Sequence, residues 1–205
     1  MAKGPSAITV TRVPTAEKAS SCGAMVTLAT AHLELIAATP ETALAETTGE
    51  PQWWRRLGAS GPASWPPPLN DGEALRWFAE SIAIDPEGVG WYTWYVLERD
   101  APAPRRLIGN AGFTGRPDTH GSAEIGYSLL PAHQRQGYGT ELVDALIGWA
   151  FAHRDVQRVM AETYPDFIAS VRVLEKNGFR IAGRALRPGA IRFELRRTLF
   201  LRGGH

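Results

Sequence analysis

The chain has 205 residues, of which 44% are hydrophobic and 21% charged, with a formal net charge of +1 and one cysteine. This length supports one substantial core, so a single domain is expected. The balanced charge gives no reason to expect a nucleic-acid partner, and no apolar run approaches the roughly 18–20 residues of a membrane span. Cys22 cannot form an intramolecular disulfide, which fits a reducing compartment. We therefore expect a cytoplasmic protein with neither nucleic acid nor a membrane as partner.

The N-terminal part of the sequence predicts an arm followed by the folded domain. Residues 1–24 show no sustained hydrophobic period, so we expect a loosely ordered arm and one domain over 25–205. The alternation in 25–39 predicts a first strand. Thr39-Pro40-Glu41 combines a capping residue, a proline at the first helical position and an acid, so a short helix should begin there.

An irregular segment comes next, over 48–70, with three tryptophans and five prolines and glycines before a Pro-Pro-Pro run. A loop of this length is either a lid over a binding site or a segment packed on the core. Asn70 or Asp71 can then cap a helix whose apolar positions include Leu75 and Ile82. Three strands follow, at 91–98, 106–115 and 123–130, and their short connections predict an antiparallel meander.

The centre of the chain has the order strand, glycine loop, helix. Apolar residues recur with helical period over 141–153. The first turn of such a helix presents amides without intrahelical partners and partial positive charge, which suits an anion such as a phosphate. The glycines would let the anion approach the amides, and the polar side chains would add donors. The loop consists of Gln134, Arg135, Gln136, Gly137, Tyr138, Gly139 and Thr140. Two spaced glycines before a core helix could equally form a simple tight turn.

The C-terminal part predicts one more strand over 156–163, a helix within 165–179 and a closing hairpin from 180–185 and 191–200. Strands and helices alternate, yet several strands are joined by short turns. The fold class is therefore mixed α/β, of the α+β kind, with a mostly antiparallel central sheet flanked by helices.

The loop QRQGYG fits the pattern Q/R-x-x-G-x-G and resembles the pyrophosphate-binding motif of the GCN5-related N-acetyltransferases (GNATs). The stretches EIGYSLLPAHQRQGYGTELVDALIGWAF and ASVRVLEKNGF (169–179) are similar to the branch that includes ribosomal-protein-alanine N-acetyltransferases. The resemblance covers about 106–183. It implies acetyl-CoA as co-substrate, no metal, and a sheet splayed apart between the strands 123–130 and 156–163.

The same resemblance implies how the coenzyme is held. Its pantetheine arm would lie in the splay against free backbone groups of Ser128, Leu129 and Leu130. The N–H of Leu129 would polarise the thioester carbonyl and stabilise the oxyanion that develops during acyl transfer. Tyr138 is expected to pack against the coenzyme arm.

A base is needed to take a proton from the attacking amine. The strand period places Glu124 on one face with Gly126 and Ser128, so it could face the cleft, while Glu162 ends the neighbouring strand. Either acid could serve directly or through a water, or could instead be a solvated or salt-bridged strand residue.

An acid is needed for the departing thiolate, and here the sequence departs from the family. Many members have a Tyr where this chain has Leu174. The branch it resembles has Ser in an NxxS motif, and Ser170 aligns with that Ser, whereas Phe167 replaces the Asn. Ser170 could bond the coenzyme sulfur, or only bond back to a helix carbonyl.

The sequence thus predicts an N-acetyltransferase that moves an acetyl group directly to a primary amine, either a protein N-terminus or a small molecule, in a ternary complex. The segment 48–70, the 115–122 loop and the closing hairpin would line the acceptor cleft. The alternative, which Phe167 and Leu174 keep open, is a non-catalytic acyl-CoA-binding module of the same fold. A homodimer is also left open.

Overall fold

The computed structural model describes residues 9–13, 25–99 and 104–202. One sheet runs through the whole of this part, in the order β1-β2-β3-β5-β6-β7-β8-β10-β9, with β4 beside β6. The strands are β1 (Thr9–Val13), β2 (Met25–Ala29), β3 (Leu33–Ala37), β4 (Ala59–Ser60), β5 (Thr93–Glu98), β6 (Arg105–Phe113), β7 (Ser122–Leu129), β8 (Arg158–Thr163), β9 (Arg180–Ile181) and β10 (Ile191–Arg196).

Five α-helices occur in the described part of the chain: α1 (Pro40–Thr47), α2 (Gly72–Ile84), α3 (Tyr138–Ala152), α4 (Ile168–Lys176) and α5 (Arg197–Arg202). The predicted start of α1 is confirmed by a capping box, in which the side chains and amides of Thr39 and Thr42 bond each other. Asp71 caps α2 through the amides of Glu73 and Ala74. These local signals are independent of the rest of the fold, so the sequence could reveal them.

Helices cover both faces of the sheet, and a separate apolar cluster lies under each layer. Because side chains alternate along a strand, neighbours on β5 belong to different clusters: Trp94 packs with α3, whereas Tyr95 packs with α1 and the 3₁₀ turn Trp53–Leu57. The α+β fold predicted from the sequence is confirmed.

The strands β7 and β8 run parallel but share only a short ladder. Its register is Ser122 with Arg158, Ala123 with Val159 and Glu124 with Met160. Beyond Glu124, β7 continues along β6 and β8 continues along β10. The predicted splay is thus confirmed, and it leaves a gap, called here the β7–β8 gap, beside the start of α3.

Three predicted elements need correction. Residues 9–13, assigned to a loosely ordered arm, form β1 and pair with β2; the rest of that arm, Cys22 included, lies outside the described residues. The single strand predicted over 25–39 is the hairpin β2–β3. The strand predicted over 191–200 stops at Arg196, because the chain there turns into α5.

Candidate active site

The hydrogen bonds between β7 and β6 show which backbone groups of β7 face the gap. The N–H of Leu130 donates to Ile108 O of β6 at 2.9 Å, and Thr114 N–H donates to Glu124 O at 3.0 Å. The even-numbered residues of β7 therefore direct their N–H and C=O groups towards β6. In an antiparallel ladder the odd-numbered residues turn theirs the other way, so Tyr127 and Leu129 present theirs to the β7–β8 gap.

This pattern agrees with the role expected for Leu129, whose N–H points into the gap. It corrects the expectation for the two residues beside it. The Leu130 N–H is already used by the β6 edge, and Ser128 lies opposite Asn110 in the same ladder. Leu129 O accepts a hydrogen bond from Gln134 Nε2 at 2.9 Å, so the loop after β7 is fastened to the strand that lines the gap.

Gly137 is the N-cap of α3 and has φ +91°, a left-handed conformation that glycine adopts without strain. No side chain caps the helix there, and a Cβ at Gly137 would meet no atom within 4 Å. The amides of Thr140 and Glu141 donate to Gly137 O at 3.0 and 3.1 Å. The helix therefore begins at an open, uncapped turn, which is the geometry that an anion needs.

Gly139 has a different reason to lack a side chain. A Cβ there would lie 3.2 Å from Val173 Cγ2, so this glycine allows α3 and α4 to pack closely. From the sequence, both glycines were expected to let a phosphate approach the amides. The structure supports this explanation for Gly137 alone.

The polar side chains of the loop hold its shape. Gln136 Nε2 donates to Ala132 O at 2.9 Å, as Gln134 does to β7, while Arg135 is exposed with φ +62°. The Tyr138 hydroxyl donates to Glu98 Oε1 of β5 at 2.8 Å, and the packing expected against a coenzyme arm stays a prediction. Thr140 O accepts from Asn177 Nδ2 at 3.3 Å.

Glu141, in the first turn of α3, ties the helix to the β2–β3 turn. Its carboxylate accepts hydrogen bonds from Thr30 Oγ1 at 2.5 Å and from His32 N at 2.7 Å, and His32 Nδ1 lies 2.9 Å from its other oxygen. Burial alone would raise the pKa of Glu141, but these bonds outweigh burial and lower it. This anchor fixes the direction of α3 and had no signal in the local sequence.

Tyr127 and Ser170 meet at the β7–β8 gap. The Tyr127 hydroxyl lies 3.1 Å from Ser170 Oγ and 3.2 Å from Ser170 O, which joins β7 to the first turn of α4. Burial raises the pKa of Tyr127 to about 12, so the phenol is protonated at neutral pH. Ser170 was predicted as a site residue and Tyr127 was not, although its strand period places it with Leu129 on the face towards α3.

The two candidate bases differ in their surroundings. Glu124 lies where the gap opens, its side chain is 22% exposed, and the Arg187 guanidinium is 3.5 Å away. The side chain of Glu162 is 1% exposed, and its carboxylate accepts from Leu186 N at 2.7 Å and from Arg187 N at 3.2 Å. Burial would raise the pKa of Glu162, but the two amides and the charges of Arg192 and Arg187 outweigh it and lower the pKa.

A family model for the acetyltransferase (GNAT) domain matches residues 32–180, which is more than half of the chain. The chain belongs to the GNAT family. The N-acetyltransferase YjdG of Bacillus subtilis, itself uncharacterized, is 32% identical over 125 residues, which cover 61% of this chain and 72% of YjdG. The family membership and this relative identify the protein as an N-acetyltransferase.

Solved GNAT structures share the fold. RimL, a ribosomal alpha-N-protein acetyltransferase, superposes with a TM-score of 0.59 and 19% identity, covering 91% of this chain and 99% of RimL. A ribosomal-protein-alanine acetyltransferase from Vibrio fischeri gives a TM-score of 0.58 at 18% identity, with 83% and 96% coverage. The predicted likeness to this branch is confirmed at the level of fold.

Two positions at which the sequence departs from the expected family pattern lack acid–base side chains. Leu174, at the position of the family's tyrosine, is 1% exposed and packs in the core, so it offers no proton. Phe167, in place of the usual Asn, is the N-cap of α4 without a side-chain cap, is 41% exposed, and stacks edge-on with Tyr164 at 5.6 Å. Neither position therefore supplies a proton donor.

The irregular segment divides into a buried part and a part that reaches the site. Trp53 is 4% exposed and stacks on Tyr95 at 5.0 Å, while Trp65 Nε1 donates to Glu46 at 2.7 Å. Burial raises the pKa of Glu46 despite the hydrogen bonds it accepts. Further on, Pro68 O accepts from Ser128 Oγ of β7 at 2.5 Å. The role of the segment 48–70 as a lid stays a prediction.

The described residues contain no group of three or more His, Cys, Asp or Glu placed to hold a metal ion. None of their helices has the length and apolar character needed to cross a membrane.

Proposed function

We propose that the protein transfers the acetyl group of acetyl-CoA directly to a primary amine, in a ternary complex. The observation that carries this proposal is the β7–β8 gap, into which the Leu129 N–H points while the uncapped start of α3 lies beside it. The open turn at Gly137 would hold the diphosphate, and the gap would receive the pantetheine arm with its thioester.

In the proposed reaction the amine nitrogen attacks the thioester carbonyl carbon. The carbonyl oxygen becomes an oxyanion, which the Leu129 N–H stabilises. The attack forms the C–N bond, and collapse of this adduct restores the C=O bond and breaks the C–S bond, so that the electron pair leaves with the sulfur. The proton lost by nitrogen must be accepted, and the thiolate must be protonated or stabilised.

Glu124 is the proposed proton acceptor, directly or through a water, because it lies at the end of the β7–β8 ladder, where the gap begins, and is partly exposed. Glu162 fits this role poorly, since two amides already occupy its oxygens and its pKa is lowered. Ser170 Oγ is the proposed donor to the sulfur, and the Tyr127 hydroxyl would then hold that serine in place.

The acceptor is proposed to be a protein N-terminus, as the fold likeness to ribosomal-protein acetyltransferases suggests, or a small primary amine. The test is a panel of peptides and small amines incubated with acetyl-CoA, with free thiol measured by a colorimetric reagent and acetylated products by mass spectrometry. Thiol release that depends on the amine is expected, with initial-rate lines that intersect when both substrates are varied.

Parallel lines would instead indicate a ping-pong reaction through an acetyl-enzyme. Tight acetyl-CoA binding with no acetylated amine in the whole panel would favour the non-catalytic module. Glu124→Gln should lower kcat by about 10²–10⁴-fold without unfolding the protein, the range typical of a general base. Glu162→Gln serves as the matched control, because its main effect should be on stability.

A further inference from the structure

Arg187 is placed beside the proposed base by contacts of both its backbone and its side chain. Its guanidinium nitrogen Nη2 lies 3.5 Å from Glu124 Oε1. Its backbone N–H and that of Leu186 donate to the carboxylate of Glu162, whose side chain is buried. The backbone of Arg187 is therefore fixed at the end of β8, whereas its side chain, which is 57% exposed, can exchange partners.

The acids that contact Arg187 share one face of the sheet. Ala123 of β7, like Val159 and Ala161 of β8, packs in the apolar cluster that lies against α3. Because alternate residues of a strand share a face, Glu124 and Glu162 lie on the opposite face. Among the described residues, none from β7, β8 or β10 belongs to the second apolar cluster, so the layer under α1 does not extend over this face.

A second guanidinium lies on the same face. Arg192 of β10 is the cross-strand partner of Glu162, and its Nε lies 3.5 Å from Glu162 Oε1. That Nε is buried and has no hydrogen-bond partner among the described residues. The charges of Arg192 and Arg187 both lower the pKa of Glu162, so both guanidiniums lie close to it. Since two amides already occupy the Glu162 carboxylate, Glu124 is the one of these two acids that is left to bind a further cation.

The charges of this cluster match a zwitterion better than a simple amine. The two carboxylates and the two guanidiniums balance each other before an acceptor binds. An ammonium group that binds Glu124 displaces the Arg187 guanidinium and leaves that cation without its partner. An acceptor that also carries a carboxylate provides Arg187 with a new partner, and guanidinium and carboxylate can form two parallel hydrogen bonds. Because the Arg187 and Glu124 side chains are only 3.5 Å apart, a small molecule can reach both.

We propose that Arg187 selects the acceptor by binding a carboxylate that lies close to the amine nitrogen, as it does in an amino acid. This inference rests on the proposed function, in which Glu124 takes the proton of the same amine. The added step is an exchange of partners without any covalent change. The ion pair between Arg187 and Glu124 opens, the ammonium group binds Glu124, and the carboxylate binds Arg187. The carboxylate can belong to a free amino acid or to the acidic first residue of a peptide.

The test compares alanine with alaninamide, which has an amide in place of the carboxylate, through the ratio of their kcat/KM values. The two amines differ in basicity, so the informative quantity is the change in this ratio from one protein variant to the next. In Arg187→Gln the ratio of alanine to alaninamide should fall by about tenfold, as expected for the loss of one hydrogen-bonded contact between charges. Arg187→Lys keeps the charge but cannot form the paired hydrogen bonds, so it should retain part of the ratio.

Arg184→Gln is the matched control, because Arg184 is also an exposed arginine of the connection between β9 and β10. Its ratio should equal that of the wild type. Both glutamine variants should melt close to the wild-type temperature, since exposed ion pairs contribute little to stability. Two peptides that differ only in Asp or Asn as the first residue form a second pair of acceptors. An effect of Arg187→Gln on the alanine pair assigns the carboxylate to a free amino acid, and an effect on the peptide pair alone assigns it to an acidic N-terminal residue.

The outcomes separate the two proposals. Acetylation with ratios that Arg187→Gln leaves unchanged for both pairs overturns the role of Arg187 and leaves the acetyltransferase reaction intact. Acetylation confined to acceptors without a carboxylate does the same, and so does an equal fall of the ratio in Arg184→Gln. Acetylation of neither pair, nor of any other amine in the wider panel, removes the proposed function and the Arg187 proposal with it.

Discussion

Gly137 combines a positive φ of 91° with open space around its missing side chain, at the start of the helix where the diphosphate is proposed to bind. Asn and Asp tolerate such a backbone better than other residues and have nearly the same size. Gly137→Asp adds a negative charge next to the phosphates, so it should weaken CoA binding at least tenfold relative to Gly137→Asn, or by about 1.4 kcal/mol.

Isothermal titration calorimetry with CoA measures this difference, and pantetheine, which has no diphosphate, is the control ligand. The two variants should bind pantetheine alike. Equal CoA affinity in the Asn and Asp variants would place the phosphates away from this turn.

Ser170 and Tyr127 form a pair whose members can be tested together. Ser170→Ala should lower kcat more than it raises the KM for acetyl-CoA, because a proton donor to the sulfur acts only when the C–S bond breaks. If Tyr127 acts by holding Ser170, then Tyr127→Phe should lower kcat in the wild type and have little further effect in Ser170→Ala.

Steady-state kinetics of the wild type, the two single variants and the double variant, at saturating amine, give the coupling free energy between Tyr127 and Ser170. Independent, additive effects would mean that Tyr127 does not act through Ser170. A rise in KM with unchanged kcat for Ser170→Ala would make that serine a binding residue.

The sequence revealed one member of this pair and missed the other. Ser170 could be found because it aligns with a family motif. The partner of Tyr127 lies 43 residues further along the chain, so no local pattern connects them. The same holds for Glu141, whose bonds reach Thr30 and His32 across the fold. The role proposed for the Leu129 N–H depends on strand register, and the family resemblance, not a local pattern, suggested it.

At the scale of elements, Glu162 joins the end of β8 to the connection between β9 and β10. Two amides of that connection, those of Leu186 and Arg187, donate to its buried carboxylate. Glu162→Gln removes the negative charge from these bonds and places a side-chain NH₂ group, itself a donor, opposite one of the two backbone N–H donors. We expect it to lower the free energy of unfolding at neutral pH by about 1–3 kcal/mol.

The lowered pKa of Glu162 also sets the sign of a pH dependence. Since the folded state binds its proton less tightly than the unfolded state, its stabilisation is present above the ordinary glutamate pKa, about 4.3, and is lost as the pH falls through the lower folded value. Melting temperatures from pH 7 to pH 3 should therefore fall less steeply in Glu162→Gln than in the wild type. Glu50→Gln, at an exposed surface ion pair, should keep the wild-type slope. Parallel curves for Glu162→Gln and the wild type would contradict this assignment.

Elements with local signals were predicted well, and those shaped by distant contacts were not. The capping residues and the proline marked α1, and the strands predicted at 91–98, 106–115, 123–130 and 156–163 correspond to β5 to β8. The β2–β3 turn contains neither Gly nor Pro, and its Thr30 is held by Glu141, so the hairpin was predicted as one strand. Likewise β10 ends where the Arg197 guanidinium bonds carbonyls of Val156 and His153, which the sequence around Arg197 does not indicate.

On the scale of the whole molecule, the sheet has two parts that meet at the short β7–β8 ladder. On one side β7 pairs with β6, and on the other β8 pairs with β10. Past Glu124 the contact between the two parts depends on α3, α4 and the Tyr127–Ser170 bond. A substrate that enters this gap would contact both parts and so should stabilise the entire fold.

Linkage gives the size of this effect. Acetyl-CoA at a hundred times its Kd adds about 2.7 kcal/mol to the free energy of unfolding. For a chain of 205 residues, each kcal/mol raises Tm by about 2–4 °C, so an increase of roughly 5–11 °C is expected. Hydrogen exchange should show the added protection in β7, the first turn of α3 and α4, with little change in α1. Gly137→Asp should need a higher acetyl-CoA concentration for the same increase. Protection centred on α1, or no increase in Tm at saturation, would mean that the coenzyme does not occupy the β7–β8 gap.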